Sequence, residues 1–248
     1  MIKAITFDFW DTIAIDDSDE AKRAALGLPS KSQARLQLFM DEILSHYPEL
    51  EPAAIARAYA HANDWFRRCW KGEHHTPTVA ARLEQGYAFL GLTPTPGFAA
   101  VVRHIEEMEL RIPPDFAAGV HETLAELAGH YRLGIISDAI HTPGRGIRQL
   151  LKREGVLDYF DCLIFSDEIG VSKPAATAFA KAAAGLGVSY EEMAHIGDRE
   201  SNDIAGPLAL GMQAILFTGI VDRGSDDTRA SAICRQYADL PELIASLG

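Results

Sequence analysis

Short apolar runs recur along the chain: IKAITF (2–7), RLGIIS (132–137), CLIFS (162–166), AHIG (194–197) and QAILF (213–217). Each has the length of a strand and ends at a small or acidic residue. The intervals 118–129, 145–154, 174–185 and 203–210 read as helices, and in the first of them Val120, Leu124 and Leu127 share one face. Strand–helix alternation of this kind predicts a parallel sheet with helices on both faces.

The first run stands apart. Well over a hundred residues separate it from the second, too many for one crossover. Four apolar stripes at three-and-four spacing fill the gap: Leu36, Phe39, Met40 and Ile43; then Ile55, Tyr59, Ala62, Phe66 and Cys69; then Val79, Leu83, Tyr87 and Leu90; then Phe98, Val102, Ile105 and Met108. Breaks fall at GLPS (27–30), YPELEP (47–52), KGEHHTP (71–77) and LTPTPG (92–97). The pattern predicts a helical subdomain over residues 16–112, inserted into a sheet domain made of 1–15 and 113–248. No internal repeat or low-complexity tract interrupts it.

Composition narrows the function classes. The chain has 248 residues, 48% of them hydrophobic, enough for a proper core. A net charge of −12 without a basic stripe speaks against nucleic acid and anionic membranes as partners. A phosphorylated small molecule remains compatible, because a metal or local positive charge overrides the net field. The cysteines, Cys69, Cys162 and Cys234, form neither a CxxC nor a zinc pattern, and their odd number is no disulfide framework. They read as reduced thiols in a cytoplasm. The N-terminus shows no secretory signal pattern, and no run approaches the ~20 apolar residues that span a bilayer. A monomer or homodimer acting on a small molecule is the expectation.

In an open parallel sheet, ligands bind outside the carboxyl ends of the strands. The residues there are Asp8, Ser137, Lys173 in the loop after CLIFS, and Asp198, with Asp203 five residues further on. A carboxylate can attack phosphorus to form an aspartyl-phosphate. Acids such as Asp8, Asp198 and Asp203 suit Mg²⁺, and a lysine with a hydroxyl would hold the non-bridging oxygens. Each residue also has an ordinary reading. Strand-end aspartates turn chains or cap helices, Ser137 alone suits a turn, Lys173 before Pro174 suits an extended solvated segment, and Asp203 suits a helix N-terminus. The joint order outweighs these.

FDFWDT (7–12), GIISDA, GVSKPAATAF and HIGDRESNDIAG resemble the four ordered motifs of the haloacid dehalogenase-like (HAD) hydrolase superfamily. The helical insertion is similar to the C1-type cap of its subfamily I. The resemblance implies a Rossmann-like, doubly wound α/β core with a mobile helical cap. It implies Asp8 as nucleophile and Thr12 as the residue closing the first motif. It further implies Ser137 as hydrogen-bond donor to the transferring group, Lys173 as the neutralising cation, and Asp198 and Asp203 as Mg²⁺ ligands.

The pattern breaks at Trp10. The phosphatases of the superfamily carry a second aspartate there, which protonates the leaving oxygen and later activates water. Trp10 can still offer its backbone carbonyl to Mg²⁺. Asp11 should project elsewhere and reads as a polar turn residue. Asp138 is a candidate replacement acid, its ordinary reading being a cap on the following turn. Dehalogenases also lack the second aspartate, but they need no metal and depart from the full GDRESND form found here. Phosphonatases use a cap lysine as a Schiff base. Of Lys22, Lys31 and Lys71, only Lys71 lies in an aromatic, histidine-rich loop, where desolvation would lower its pKa; its ordinary reading is a solvated helix end. A silent phosphate-binding module is the remaining alternative. Trp65, Arg67, Arg68, Trp70, His74 and His75 are the candidate substrate contacts of the cap, or else residues that pack and solvate its helices.

Overall fold

The computed structural model describes all 248 residues. Six parallel strands form one sheet in the order β3-β2-β1-β4-β5-β6. They are β1 (Ala4–Phe7), β2 (Arg132–Ser137), β3 (Cys162–Phe165), β4 (Met193–Gly197), β5 (Gln213–Phe217) and β6 (Ala232–Cys234). β1 lies in the middle, with Phe7 opposite Ile135 on one side and Ile196 on the other. All four of its residues are buried, which is why it reads as an unbroken apolar run rather than an alternation. β6 was not legible in the sequence. It has three residues and pairs on one side only, so it needs little apolar signal of its own.

The helices are α1 (Ser18–Ala25), α2 (Lys31–His46), α3 (Pro52–Gly72), α4 (Val79–Phe89), α5 (Phe98–Glu106), α6 (Met108–Arg111), α7 (Val120–Ala128), α8 (Gly144–Arg153), α9 (Ser166–Ile169), α10 (Ala176–Leu186), α11 (Ala205–Ala209) and α12 (Leu240–Ser246). Successive strand residues point to opposite faces of the sheet. Ile5, Phe7, Leu133 and Ile135 pack against Leu124 of α7, Ile147 and Leu150 of α8, and Ile244 of α12. Ala4, Ile136 and Met193 pack on the other face against Phe179, Ala182 and Leu186 of α10. This is the doubly wound α/β architecture. The segment read as a helix over 203–210 is instead a π-helical turn, Glu200–Ile204, running into α11.

Helices α2 to α5 build a separate apolar cluster around Phe39, Ile55, Leu83, Tyr87 and Ile105. The stripes on α3 and α4 fall as their spacing predicts. On α2 the buried line is rotated: Lys31, Arg35, Phe39 and Ile43 are buried, while Leu36 and Met40 are only half-buried. Two cations therefore begin the inward face of this helix. Its start is fixed by a capping box in which Ser30 and Gln33 satisfy each other's backbone N–H groups.

The helical region meets the sheet region at loops following β2 and β3. Arg82 Nη2 donates to the Ile140 carbonyl (2.7 Å), and Trp70 Nε1 donates to Asp138 Oδ2 (3.0 Å). The backbone N–H of Ser172 donates to the His74 carbonyl (2.9 Å). No helix is long and apolar enough to cross a membrane.

Candidate active site

The connections lead away from β1 in both directions, to β2 on one side and β4 on the other. Asp8 leaves the sheet at this switch point, where a crevice must open. Its backbone N–H still donates to the Ile196 carbonyl, and its Oδ1 accepts from the N–H of Phe9, both at 2.8 Å. Lys173 approaches from the segment after α9. Its Nζ stands 2.9 Å from Asp8 Oδ1 and 2.6 Å from Asp203 Oδ1.

Asp203 is fully engaged by the protein. Its Oδ1 takes Lys173 and faces His195 Nε2 at 3.2 Å, and its Oδ2 accepts from the N–H of Arg199 at 3.0 Å. An ionised carboxylate can only accept, so His195 donates through Nε2–H, and its Nδ1 accepts from the Thr6 hydroxyl at 2.9 Å. The packing over Asp203 requires Gly197, because a Cβ there would lie 2.3 Å from Asp203 Cγ.

Asp198 is different. Its Oδ2 pairs with Arg223, while its Oδ1 is buried and has no partner in the protein. Asp8, Asp198 and Asp203 each bring a carboxylate oxygen within 4.8 Å of the other two. Burial raises the pKa of Asp8, against the pull of Lys173. Burial, together with Asp8 and Asp203, pushes Asp198 up to about 7, although Arg223 opposes this. Burial would raise Asp203 as well, but Lys173 and His195 hold it below the usual carboxylate range. Burial lowers the pKa of His195, keeping the ring neutral. Lys173 stays above its ordinary value despite burial, because Asp203, Asp8 and Asp138 surround it. Three clustered acids, a single lysine between two of them and an unpaired buried oxygen on the third fit a small divalent cation with oxygen ligands.

A cavity of about 280 Å³ opens above this cluster. Asp8, Trp10, Asp138 and Lys173 line it, together with Trp70 of α3. Ser137 and Thr12 lie beside it, with hydroxyls that are buried and unpartnered. The sequence thus singled out a set of residues that the fold does gather in one place.

A model of the family described as hydrolase, haloacid dehalogenase-like hydrolase, matches residues 2–211. The chain belongs to the haloacid dehalogenase-like hydrolases. It is 27% identical over 222 residues to the glyceraldehyde 3-phosphate phosphatase of Methanopyrus kandleri, covering 87% of this chain and 83% of that protein. It is also 27% identical over 219 residues to the 5-amino-6-(5-phospho-D-ribitylamino)uracil phosphatase of Escherichia coli, covering 86% and 82%. The crystal structure of a 2-haloacid dehalogenase from Pseudomonas syringae superimposes with a TM-score of 0.69 over 100% of both chains. At 21% identity that likeness shows the fold alone.

Several residues of this HAD-like hydrolase were not legible in its sequence. Arg223 sits in the loop VDRGSDD after β5, yet its guanidinium joins Asp198 to Asp11. Asp11 occupies the left-handed region (φ 53°), and its Oδ1 accepts from the N–H of Asp16 at 3.0 Å. It is a turn residue, as its position suggests, but one also tied to Arg223. Replacing Asp11 by asparagine keeps the acceptor for Asp16 and loses a partly exposed ion pair. We expect the D11N variant to lose at most ~1 kcal/mol of stability and to keep its turnover within about tenfold of wild type. Loss of a general acid would cost 10²–10⁴-fold. Thermal unfolding and steady-state rates check both figures.

Among the cap residues singled out by the sequence, Trp70 and His74 reach cavities near the site. Arg67 and Arg68 are exposed, Arg67 pairs with Asp64, and His75 Nδ1 lies 2.7 Å from the Gly170 carbonyl. Lys71 is exposed, with its Nζ 5.6 Å from the Trp70 ring centre. Desolvation was the premise of its Schiff-base reading, so its exposure removes that support. The buried lysine on the cavity wall is Lys31, whose position on a helix face gave no sign of burial.

Asp138 accepts three N–H groups: Lys173 N on Oδ1 at 3.0 Å, and Trp70 Nε1 and Asn202 Nδ2 on Oδ2 at 3.0 and 3.2 Å. These favour the carboxylate, yet burial outweighs them and raises its pKa from 3.8 to about 6. A raised folded-state value means that protons bind more tightly to the folded form. The resulting stability is present in full below pH 3.8 and is lost as pH rises through about 6. D138N cannot titrate. The stability of wild type relative to D138N should therefore fall across that window, by on the order of 2–3 kcal/mol. Urea denaturation of both proteins at several pH values reads this out directly.

Proposed function

We propose that this hydrolase is a Mg²⁺-dependent phosphatase of small phosphorylated metabolites, working through an aspartyl-phosphate on Asp8. The observation that carries the reading is Lys173 bridging Asp8 and Asp203 beside the unpaired Oδ1 of Asp198. The phosphatase relatives support it from an independent direction. An Asp8 carboxylate oxygen attacks phosphorus, the bond to the ester oxygen breaks, and that oxygen leaves with the electron pair and takes up a proton. Water then hydrolyses the acyl phosphate, restoring Asp8 and releasing inorganic phosphate. Lys173 offsets the charge of the two anions as they approach, and the Ser137 and Thr12 hydroxyls supply donors for the non-bridging oxygens.

Asp8, Asp198 and the backbone carbonyl of Trp10 are assigned to hold Mg²⁺. Both oxygens of Asp203 are already engaged, so we assign it to fixing Lys173 rather than to direct ligation. When bound, the ion withdraws charge from the phosphoryl oxygens and lets nucleophile and substrate come together. Residues 16–112 are assigned as a C1-type cap over the core formed by 1–15 and 113–248, with Trp70 reaching the site from it. Trp10 stands where phosphatases of the superfamily carry their acid, so no side chain two residues after Asp8 can protonate the leaving oxygen. Aryl and acyl phosphates, which leave readily, should accordingly turn over faster than alkyl phosphates.

Phosphate release from a panel of aryl, acyl and alkyl monoesters with Mg²⁺ tests the reading. Release fastest from the aryl and acyl members is the expected result, and no release from any member contradicts it. Trp10 also favours a second reading, a module that binds phosphate and metal without turnover. Thermal stabilisation by Mg²⁺ with beryllium fluoride, in the absence of hydrolysis of the whole panel, would select that one.

A further inference from the structure

The cavity above Asp8 has a second charged end, formed by the start of α2, the loop before α1, α6 and the loop after β2. Lys31, only 2% exposed, projects into it from α2. Its ammonium stands 2.7 Å from Asp19, 3.0 Å from Asp17 and 3.1 Å from Glu109. An ammonium has three N–H donors, so these acids can occupy all of them. Glu109 Oε1 also takes Arg35 Nη2 at 3.1 Å, and Glu109 Oε2 accepts from the Thr142 hydroxyl. Arg35 is 9% exposed, lines the cavity, and has no protein partner for its Nε.

Behind this cluster, Arg82 donates to His141 Nε2 at 2.8 Å. Burial and the neighbouring Arg35, Arg82 and Lys31 keep His141 well below its usual pKa, so it is a neutral acceptor. The charges therefore cancel: Lys31, Arg35 and Arg82 stand against Asp17, Asp19 and Glu109. Asp16, on the same wall, adds further negative charge to the extent that it is ionised.

We propose that this end of the cavity is a subsite for the uncharged, hydroxyl-bearing part of the substrate, so that the enzyme selects phosphorylated polyols and sugars. The inference rests on the phosphatase reading above and deepens it. A second anionic group would meet a wall that is neutral to negative, on which the Lys31 donors are already spent. An amine would meet Lys31 and Arg35. A hydroxyl both donates and accepts, and the wall places carboxylate acceptors within 3.1 Å of cationic donors, so a hydroxyl can join such a pair without leaving either partner unmatched. A site built on hydrogen bonds of this kind rejects ligands that leave its polar groups unpaired.

The test compares kcat/KM, with Mg²⁺, for alkyl monoesters that differ in the distal group: glycerol 3-phosphate and ribose 5-phosphate, phosphoglycolate, and phosphoethanolamine. p-Nitrophenyl phosphate is measured alongside, because it probes the phosphatase reading without a distal group. The hydroxylated esters should exceed both the carboxylated and the aminated ester by at least tenfold. Cleavage of p-nitrophenyl phosphate with equal or better use of phosphoglycolate or phosphoethanolamine overturns the subsite and leaves the phosphatase reading standing. No cleavage of any compound overturns both. In the E109Q variant, Lys31 and Arg35 lose a shared counter-charge. The ratio of phosphoglycolate to glycerol 3-phosphate should therefore rise severalfold or more, a comparison within one protein that does not depend on how much of it folds. An unchanged ratio contradicts the proposal.

Discussion

Replacing Asp8 by asparagine is expected to abolish phosphate release, with a loss of at least 10³-fold in kcat at saturating substrate. The amide has nearly the shape of the carboxylate, but it is a far weaker nucleophile and cannot return an acyl phosphate to carboxylate. The substitution also removes one of three clustered acids, since Asp8, Asp198 and Asp203 approach within 4.8 Å. Burial raises the pKa of Asp8, so the folded state gives up ionisation energy to keep this group in place. The neutral amide should therefore leave the apo protein as stable as wild type or more so, while activity disappears. A structural role for Asp8 would give the opposite pattern, with activity and stability falling together. Circular dichroism melts beside kinetic measurements separate the two cases.

Replacing Lys173 by methionine should damage both. The Lys173 side chain is 2% exposed and stands between Asp8 and Asp203, which are 10% and 0% exposed. Removing one partner of a buried ion pair leaves an uncompensated buried charge and costs about 3–5 kcal/mol. Here two carboxylates lose their shared cation, and Asp138 loses a neighbouring positive charge. Catalysis should fall by a further 10²–10³-fold in kcat, the typical cost of removing one preorganised group that stabilises transition-state charge. Added Mg²⁺ should restore part of the stability of K173M, because it supplies positive charge to the same acids, and its thermal shift should exceed that of wild type. A K173M protein with wild-type stability and no greater response to Mg²⁺ would show that the lysine does not hold the acids together.

The legible part of this site and the hidden part differ in physical kind. Asp8, Asp198 and Ser137 close apolar strands, so their place at the carboxyl edge of the sheet follows from where the strands stop. Lys173 and Asp203 sit in short segments just after such ends. Periodicity carries no comparable information about Arg223, which lies in an irregular loop and reaches Asp11 across 212 positions of sequence. Lys31 and Arg35 mislead for another reason. A cation on an amphipathic helix ordinarily marks the solvated side, and here the acids that allow burial, Asp19 and Glu109, come from α1 and α6. The helical stripes of α3 and α4 were readable because their inward residues are apolar, and the stripe of α2 was rotated by its two buried cations.

Covalent capture of the phosphoryl group tests the central claim most directly. The enzyme is mixed with Mg²⁺ and an aryl phosphate, quenched in acid within a turnover, digested, and analysed by mass spectrometry. The account predicts phosphate on the peptide carrying Asp8, absent from D8N and from samples without Mg²⁺. Continued turnover with no phosphate on that peptide, or with phosphate on a different residue, would contradict it.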